Sequence, residues 1–370
     1  MQAILAIENA TASLVPPADA GPLSLRIEGR IARLALSDHR RGNLLTHAVA
    51  AAFCDMLAAL KSERTVELVV IEGEAGVFCS GPDLPAIHRA RTDGTDAGRA
   101  FARIASQLVL DIVRLGKPVL ALIDGAVIGG GLALGAHATY RVVTERTRIS
   151  LPQTAVGLVP DLGLSRLLAR APAGFGPYLC LSGASIGAAD AIHVGFADGF
   201  IHSDRIEALC EKLANPFAGD LESILNSFAT DAGESSLAAA GDGIADVFGH
   251  SSVAAIADAL SGSRLTMAGD AEAAIGSGSP VAMQLALALI RQAGERRRLE
   301  DCLRAEHHFV CKLLDCGEAY EGIESRLLRT GRLPRWLAAR PADVDAGVLA
   351  PFLTPLLPGD GLAPQAMLHS

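Results

Sequence analysis

Two short glycine-containing loops, each placed after an apolar run, constrain the fold of this chain more than any other feature. The first covers residues 78–84 and reads Phe-Cys-Ser-Gly-Pro-Asp-Leu, and the second covers residues 123–131 and reads Ile-Asp-Gly-Ala-Val-Ile-Gly-Gly-Gly. Short apolar runs bounded by glycine are typical of buried β-strands. The loops begin about 45 residues apart, and residues 97–115 between them have a helical pattern.

The alternation of strand and helix patterns extends over the first half of the chain. Such alternation predicts an α/β core with mainly parallel sheets. The predicted strands cover residues 25–36 (a β-hairpin), 66–72, 119–123 and 140–144, and the predicted helices cover residues 46–60 with Thr46 as N-cap, 97–115 and 132–138.

The character of the sequence changes after residue 205. Residues 215–280 are rich in Ala, Ser, Gly and Asp and predict helices with loose connections, and residues 281–330 predict more strongly charged helices. Six prolines after residue 333 predict an extended or irregular tail. We therefore predict a core in residues 1–205 and a helical region with a proline-rich tail in residues 206–370.

The composition excludes several classes of protein. Hydrophobic residues make up 50% of the 370 residues and charged residues 20%, which is too apolar for a disordered chain. The net charge of −9 provides no basic excess for nucleic acid, and 4% aromatic residues make base stacking a poor expectation. No stretch reaches the roughly 18 apolar residues of a membrane-spanning helix, so no membrane partner is expected.

The seven cysteines indicate a reducing environment. They are scattered, odd in number and form no CxxC pair, which predicts mostly buried thiols and a cytoplasmic location. Their spacing supports no zinc site, and no metal is predicted. Residues 1–20 carry Glu8 and lack a positively charged start, so we expect no secretory signal.

A third segment, residues 151–161, reads Leu-Pro-Gln-Thr-Ala-Val-Gly-Leu-Val-Pro-Asp. Together with the two loops and residues 42–46, 181–195 and 321–336, it resembles the crotonase (enoyl-CoA hydratase/isomerase) superfamily. Its Pro-Asp ending at Asp161 is more typical of the 3-hydroxyisobutyryl-CoA hydrolase branch. The resemblance implies an α/β crotonase-type spiral of ββα units, then a C-terminal helical region, and a homo-oligomer.

The resemblance also implies an acyl-CoA thioester as partner, with no cofactor beyond its CoA moiety. In the family two backbone N–H groups bind the thioester oxygen, and losing one such donor can cost about 2.7–4 kcal/mol. Gly130 matches one donor, at a predicted helix start. Pro82 occupies the place of the other donor and has no N–H. Either the site is impaired, or the N–H of Asp83 or a bridging water replaces that donor.

Two further positions decide the chemistry. Gln153 stands where the hydrolases carry a glutamate; it either orients a substrate hydroxyl or caps the loop as a buried polar side chain. Asp161 matches the family's aspartate and either activates water or caps the following helix. Ala133 stands where hydratases carry one of two glutamates, so hydration by the two-glutamate route is not expected.

The resemblance assigns CoA recognition to the first loop and to the triple glycine. Near the C-terminus, Arg329 and Arg332 flank Thr330, which matches a nucleotide-contacting lysine of the family. These arginines either contact CoA phosphates or are solvent-exposed helix-end residues. The residues expected to bind CoA are Ser80, Gly81, Pro82, Leu84, Gly129 and Gly130.

Other candidate sites have a structural explanation. His307 and His308 are expected on a solvated helix face. Ser165 and Ser182 lack the G-x-S-x-G pattern of serine hydrolases, and the triple glycine is neither a Rossmann nor a P-loop motif.

The resulting hypothesis is a 3-hydroxyisobutyryl-CoA hydrolase-like enzyme acting on a short acyl-CoA, as in valine breakdown. In it Asp161 positions or activates water, Gly130 stabilises the oxyanion and Gln153 orients the acyl group. One alternative is an acyl-CoA-binding pseudoenzyme, because Pro82 and Gln153 both depart from the family. Another is a different crotonase reaction, such as isomerisation or hydration.

Overall fold

The structure, a computed structural model, describes residues 22–295, 298–329, 331–356, 359, 361 and 362. The expectations for residues 1–20 and for Thr330 lie outside the described residues. The strands are β1 Leu23–Glu28, β2 Ile31–Leu36, β3 Leu68–Gly73, β4 Val77–Cys79, β5 Val119–Ile123, β6 Ala126–Ile128, β7 Tyr140–Val143, β8 Arg148–Ser150 and β9 Gly199–Phe200.

Helices follow β2, β4, β6 and β8 and make up most of the chain after β9. Up to residue 214 they are α1 His47–Ser62, α2 Leu84–Thr92, α3 Ala97–Val113, α4 Ala133–Ala136, α5 Leu164–Arg170, α6 Phe175–Ser182, α7 Ala188–His193 and α8 Ile206–Ala214. The later ones are α9 Leu221–Phe228, α10 Ser236–Ala239, α11 Gly241–Phe248, α12 Val253–Ser261, α13 Ala268–Ser277, α14 Pro280–Glu295, α15 Leu299–Asp315, α16 Glu318–Ile323 and α17 Ala346–Leu353. Short 3-10 turns form at His39–Arg41, Gly129–Leu132, Gln153–Val156, Ser203–Arg205 and Pro341–Asp343, and a π turn at Glu324–Leu328.

The strands form two sheets that advance together along the chain. The larger sheet has the order β1-β2-β3-β5-β7-β9, and the smaller has the order β4-β6-β8. Only the β1–β2 hairpin is antiparallel among these pairs; the other neighbours are parallel. Each turn of the chain adds one strand to the larger sheet, one to the smaller sheet and then helix, which confirms the predicted spiral of ββα units.

The larger sheet is buried on both faces. In β3, Val69 and Ile71 point into the main core with α1 and α3, whereas Leu68 and Val70 face a smaller core with α8 and α9. Strands covered on both faces are typically continuous apolar runs, as β3 and β5 are. The strands β3 and β5 of this sheet lead directly into β4 and β6, from which the two glycine loops emerge.

Three predicted elements differ in detail. The predicted helix over residues 132–138 is a 3-10 turn over the glycines followed by the short α4, because glycine is a poor helix former. The predicted helix over residues 97–115 ends at Val113. The tail is not irregular throughout: α17 forms where the Asp345 side chain accepts a hydrogen bond from Val348 N over 2.9 Å.

The prediction of a solvated helix face at His307 and His308 is wrong. His307 is 3% exposed, and its Nε2 lies 3.4 Å from Sγ of the buried Cys311. Nε2 of His308 lies 2.7 Å from the Phe352 carbonyl oxygen. The charged sequence pattern of α15 misled the prediction, because this helix packs against α3, α5 and α14 at once.

The structure contains no disulfide among the seven cysteines, and five of them are buried. The described residues contain no group of three His, Cys, Asp or Glu side chains arranged to hold a metal ion. No single described helix is long and apolar enough to cross a bilayer. Only α13 and α14 taken together pass on length and composition, and they meet at a bend of 115°.

Candidate active site

The three loops singled out in the sequence meet in one apolar cleft of about 430 Å³. The first follows β4, the second follows β6 and the third follows β8, so the ends of the smaller sheet's strands build the site. Gly81 lies behind its surface. The cleft is lined by Leu44, Ser80, Pro82, Asp83, Leu84, Pro85, Ile128, Gly129, Gly130, Pro152, Gln153, Val156, Leu158, Val159, Asp161 and Leu327.

Gly81 lets the first two loops touch. Its φ is +79°, and a Cβ atom there would lie 2.9 Å from the Ile128 carbonyl oxygen and 3.2 Å from Gly131 N. Only glycine adopts this conformation without strain and leaves that space open. Its carbonyl accepts a hydrogen bond from Leu45 N over 2.9 Å. Gly81 therefore acts in the site as a spacer between loops.

Pro82, Gly130 and Asp161 converge on one point of the cleft. A Cβ atom on Gly130 would lie 3.5 Å from Pro82 Cδ and 3.7 Å from Asp161 Oδ1. Gly130 lies in the first turn of the 3-10 segment Gly129–Leu132, where amides have no partner within the helix. The point thus receives one backbone donor and one carboxyl group, with a proline ring beside them.

Asp83 offers an additional backbone donor at this cleft. Its φ of −74° and ψ of 76° form an inverse γ-turn, in which Leu84 N donates to the Pro82 carbonyl oxygen over 2.9 Å. Its side chain accepts from Ala86 N and pairs with Arg41 at 2.7 Å. Among the described residues no acceptor takes the Asp83 N–H, so this donor is available to a ligand.

Gln153 presents an unpaired amide to the cleft. The residue is 7% exposed, and a Cβ atom on Gly129 would lie 3.5 Å from its Nε2. Neither Nε2 nor Oε1 has a hydrogen-bond partner among the residues that the structure describes. The amide therefore does not cap the loop. Leaving a buried polar group unsatisfied costs about 1–3 kcal/mol, so this amide favours a ligand that both accepts and donates.

The carboxyl group of Asp161 is a weaker acid than an ordinary aspartate. Burial, and then the negative charge of Glu306, raise its pKa from the ordinary 3.8 to about 7. No ion pair to Asp161 forms within the described part of the chain. Helix α5 begins after Gly163 without a cap from Asp161. Asp161 is therefore free to exchange a proton near neutral pH, as a general base or acid requires.

Two residues that the sequence did not point to, His137 and Glu306, hold the backbone after Asp161 in a strained conformation. Leu162 has a φ of +57°, which is costly for a branched side chain. Nε2 of His137 lies 2.9 Å from the Leu162 carbonyl oxygen. The 1%-exposed Glu306 accepts hydrogen bonds from Gly163 N over 2.6 Å and from Ser165 N over 3.0 Å. These contacts hold the backbone directly after Asp161.

Glu306 left no usable signal in the sequence. It lies 145 positions after Asp161 on a helix with a charged pattern, and only packing of α15 on α5 brings the two carboxylates together. The same holds for His137, which the sequence places beside a strand with no motif around it. The role of a buried acid such as Glu306 is recognisable only after the helices are packed.

The C-terminal arginines are engaged within their own segment. Arg329 pairs with Glu324 at 3.2 Å and is 71% exposed, and Arg332 pairs with Glu321 at 2.9 Å. Neither lines the cleft, whereas Leu327 does. The solvent-exposed alternative describes Arg329 better. Ala133, at the position of a hydratase glutamate, is 1% exposed.

The family model for enoyl-CoA hydratase/isomerase matches residues 31–353 of this chain. This chain belongs to the enoyl-CoA hydratase/isomerase family. The predicted superfamily is confirmed by this match, and Asp161, Gln153 and Gly130 all lie inside the matched range.

Curated relatives of this enoyl-CoA hydratase/isomerase family member are named as hydrolases. The mitochondrial 3-hydroxyisobutyryl-CoA hydrolase of Xenopus tropicalis is 30% identical over 285 residues, 73% of this chain and 72% of that protein. The 3-hydroxyisobutyryl-CoA hydrolase 1 of Arabidopsis thaliana is 28% identical over 326 residues, 84% of this chain and 85% of that protein.

Solved structures similar to this family member carry other names. An enoyl-CoA hydratase from Rhodobacter sphaeroides 2.4.1 is 32% identical with a TM-score of 0.86, covering 93% of this chain and all of that chain. A carnitinyl-CoA dehydratase from Mycobacterium thermoresistibile is 32% identical with a TM-score of 0.85, covering 93% and 98%. The names of family members thus cover several reactions, and the residues of the cleft must discriminate between them.

Proposed function

We propose that this protein hydrolyses the thioester of a short hydroxyacyl-CoA, in the manner of 3-hydroxyisobutyryl-CoA hydrolases. The observation that carries the proposal is the Asp161 carboxyl, whose pKa is raised to about 7 beside the free amide of Gly130 in an apolar cleft. A base poised near neutral pH next to an oxyanion donor is what water attack on a thioester needs. The names of the curated relatives support the same reaction.

In the proposed reaction, ionised Asp161 accepts a proton from a water molecule next to the thioester carbon. The water oxygen bonds to that carbon, and the electron pair of the C=O bond moves onto oxygen. The N–H group of Gly130 donates a hydrogen bond to this oxyanion. When the C–S bond breaks, protonated Asp161 returns its proton to the leaving thiolate, which gives the free acid and CoA thiol.

Gln153 is proposed to orient the acyl group. Its unpaired Nε2 and Oε1 match a hydroxyl on the acyl chain, which can accept one hydrogen bond and donate another. An acyl group without a hydroxyl would leave the buried amide unsatisfied and bind more weakly. 3-Hydroxyisobutyryl-CoA, the thioester of valine breakdown, is therefore the first substrate to test. The reaction requires no cofactor beyond the CoA of the substrate.

The test is release of CoA thiol from 3-hydroxyisobutyryl-CoA by the full chain, with isobutyryl-CoA as the matched substrate lacking the hydroxyl. We expect turnover of the hydroxyacyl thioester and a lower kcat/KM for isobutyryl-CoA. Asp161→Asn should lower kcat by about 100-fold or more. Unchanged turnover in Asp161→Asn would refute the role of this carboxyl.

A catalytically impaired acyl-CoA-binding protein is the second candidate, because Pro82 supplies no N–H and Gln153 cannot act as a carboxylate. In this case the wild type binds acyl-CoA in calorimetry but releases no thiol. The double variant Pro82→Gly with Gln153→Glu should then gain thioesterase activity. Absence of a gain would count against this candidate.

Isomerisation or hydration of an enoyl-CoA is less well supported by the cleft. With Ala133 and Gln153 at the positions of the two hydratase glutamates, the two-glutamate route for adding water is not available. Chromatography of products from 2-enoyl-CoA and 3-enoyl-CoA separates these reactions from hydrolysis, because only hydrolysis yields free CoA.

A further inference from the structure

A second cavity, of about 550 Å³, lies beside helix α5. It shares no lining residue with the cleft of Asp161. Its walls combine apolar side chains such as Leu110 and Leu167 with three arginines, Arg141, Arg166 and Arg170. Its volume falls within the range of about 300–1,000 Å³ that is usual for small-molecule sites.

Two of the arginines, Arg166 and Arg170, have no acidic partner among the residues that the structure describes. Arg166 and Arg170 are four residues apart on α5, so they lie on one face of the helix. In the described part of the chain, neither forms an ion pair with a carboxylate. Burial, and then Arg166 and Arg141, lower the pKa of Arg170 from its usual value. Like charges at this spacing destabilise a helix unless an anion bridges them.

Arg141 is fixed in place by its own partners. Its NH2 pairs with Asp198 at 2.6 Å, its Nε with the same carboxylate at 2.9 Å, and its NH1 donates to the Gly195 carbonyl oxygen over 2.8 Å. A guanidinium has five N–H donors, so this one still has hydrogens to offer. It forms a rigid third corner of the arginine group.

The other titratable residues of the lining do not cancel this positive charge. Glu300 already pairs with Arg114 at 2.7 Å and with Arg298 at 3.6 Å. Burial lowers the pKa of His137 to about 4, so it is neutral at pH 7. The cavity is therefore positive inside a protein whose net charge is −9.

We propose that this cavity binds a small molecule carrying a phosphate or diphosphate group against Arg166 and Arg170, with its apolar part on Leu110 and Leu167. Planar guanidinium groups bind phosphate oxygens in pairs, and a doubly charged anion matches two unpaired arginines. Residues 161–163 connect this cavity with Asp161. His137 lines the cavity, and its Nε2 contacts the carbonyl oxygen of Leu162, which follows Asp161.

The test is calorimetric titration of the full chain with inorganic pyrophosphate, with acetate as a singly charged comparison. We expect one saturable pyrophosphate site and weaker or no binding of acetate. Arg166→Gln and Arg170→Gln should each weaken pyrophosphate binding at least tenfold. Arg340→Gln, which removes an equally positive but 76%-exposed arginine paired with Asp343, should bind as the wild type does.

Two further measurements separate loss of binding from loss of folding. Arg166→Lys keeps the charge and should retain more binding than Arg166→Gln, and circular dichroism checks that each variant is folded. Equal binding by wild type and all variants would overturn the proposal. So would absence of pyrophosphate binding together with a lower oligomer mass in Arg166→Gln, since the cavity would then receive an acidic side chain of a second copy.

Discussion

Asp161 and Glu306 form the pair of residues on which the proposed chemistry depends. The sequence pointed to Asp161 through its Pro-Asp motif but gave no signal for Glu306. In the structure Glu306 is buried against the backbone that follows Asp161. Its negative charge is the second cause, after burial, of the raised Asp161 pKa. Glu306 is thus expected to raise the pKa of Asp161.

Glu306→Gln should shift the pH dependence of turnover to lower pH. With Asp161 as base, wild-type kcat should rise with pH with a midpoint at about pH 7, where half of the carboxyl groups are ionised. Removing the Glu306 charge should move this midpoint down by about 1 unit, while the amide oxygen keeps one hydrogen bond to the loop. Thiol release from pH 5.5 to 9 measures it. The exposed Glu211→Gln is the control, and an identical shift there would contradict the explanation.

Pro82→Gly should raise kcat for thioester hydrolysis. The substitution adds an N–H next to Gly130, at the point where proline presents its Cδ. A second oxyanion donor is worth about 100-fold in kcat where it is missing, and we expect at least tenfold. Pro85→Ala also adds an N–H in the same cleft, but in the first turn of α2. No gain in Pro82→Gly would show that the Asp83 amide already completes the site, and an equal gain in Pro85→Ala would show that the N–H added at residue 82 is not the cause.

Loops and helices are the elements that bring the cleft together. Gly81 lets the first two loops approach closely, and the third is anchored by α15 through Glu306. The loops themselves could be recognised in the sequence, because glycine, proline and aspartate mark them. Their closeness could not, since it depends on the parallel register of β4, β6 and β8.

Gly81→Ala should weaken acyl-CoA binding and destabilise the fold. A methyl group there would press on the Ile128 carbonyl oxygen, in addition to the cost of about 1–2 kcal/mol for the left-handed backbone. Gly94→Ala is the matched control, because its φ of +71° carries the same cost with nothing within 4 Å. Denaturant unfolding and calorimetry with acyl-CoA compare the two. Equal losses would mean that the contact between the loops contributes nothing.

At the scale of the whole molecule, the raised pKa of Asp161 makes stability depend on pH. The folded state holds this proton up to about pH 7, whereas an unfolded chain releases it near 3.8. Stability from this group is therefore complete below about pH 4 and is lost as pH rises to about 7. Asp161→Asn has no carboxyl group at this position, so it should not lose stability in this way as the pH rises.

We therefore expect Asp161→Asn to be more stable than the wild type at pH 8, by on the order of 1–4 kcal/mol. The difference should shrink toward pH 5. Urea unfolding at both pH values measures it, and the exposed Asp93→Asn provides the comparison. A variant less stable than the wild type at pH 8 would show that the Asp161 carboxylate is not destabilising.

Several expectations about the whole molecule stay predictions. They are the boundary at residue 205, the homo-oligomer and the cytoplasmic location. The names of the animal relatives place those proteins in mitochondria. Light scattering of the purified chain would measure its mass, and cell fractionation its location.

The sequence by itself determined the alternation of strands and helices and the glycine-marked loops, because apolar periodicity and turn chemistry are local properties. The spiral of ββα units and the choice of Pro82, Gly130, Gln153 and Asp161 followed from the resemblance of these segments to the crotonase superfamily. Only the tertiary structure decided that the Gln153 amide is unpaired, that Glu306 raises the Asp161 pKa, and that Arg166 and Arg170 share a cavity with Arg141. Burial and electrostatic potential at a residue depend on every chain segment packed around it. For Asp161 that segment is α15, nearly 150 residues away along the chain.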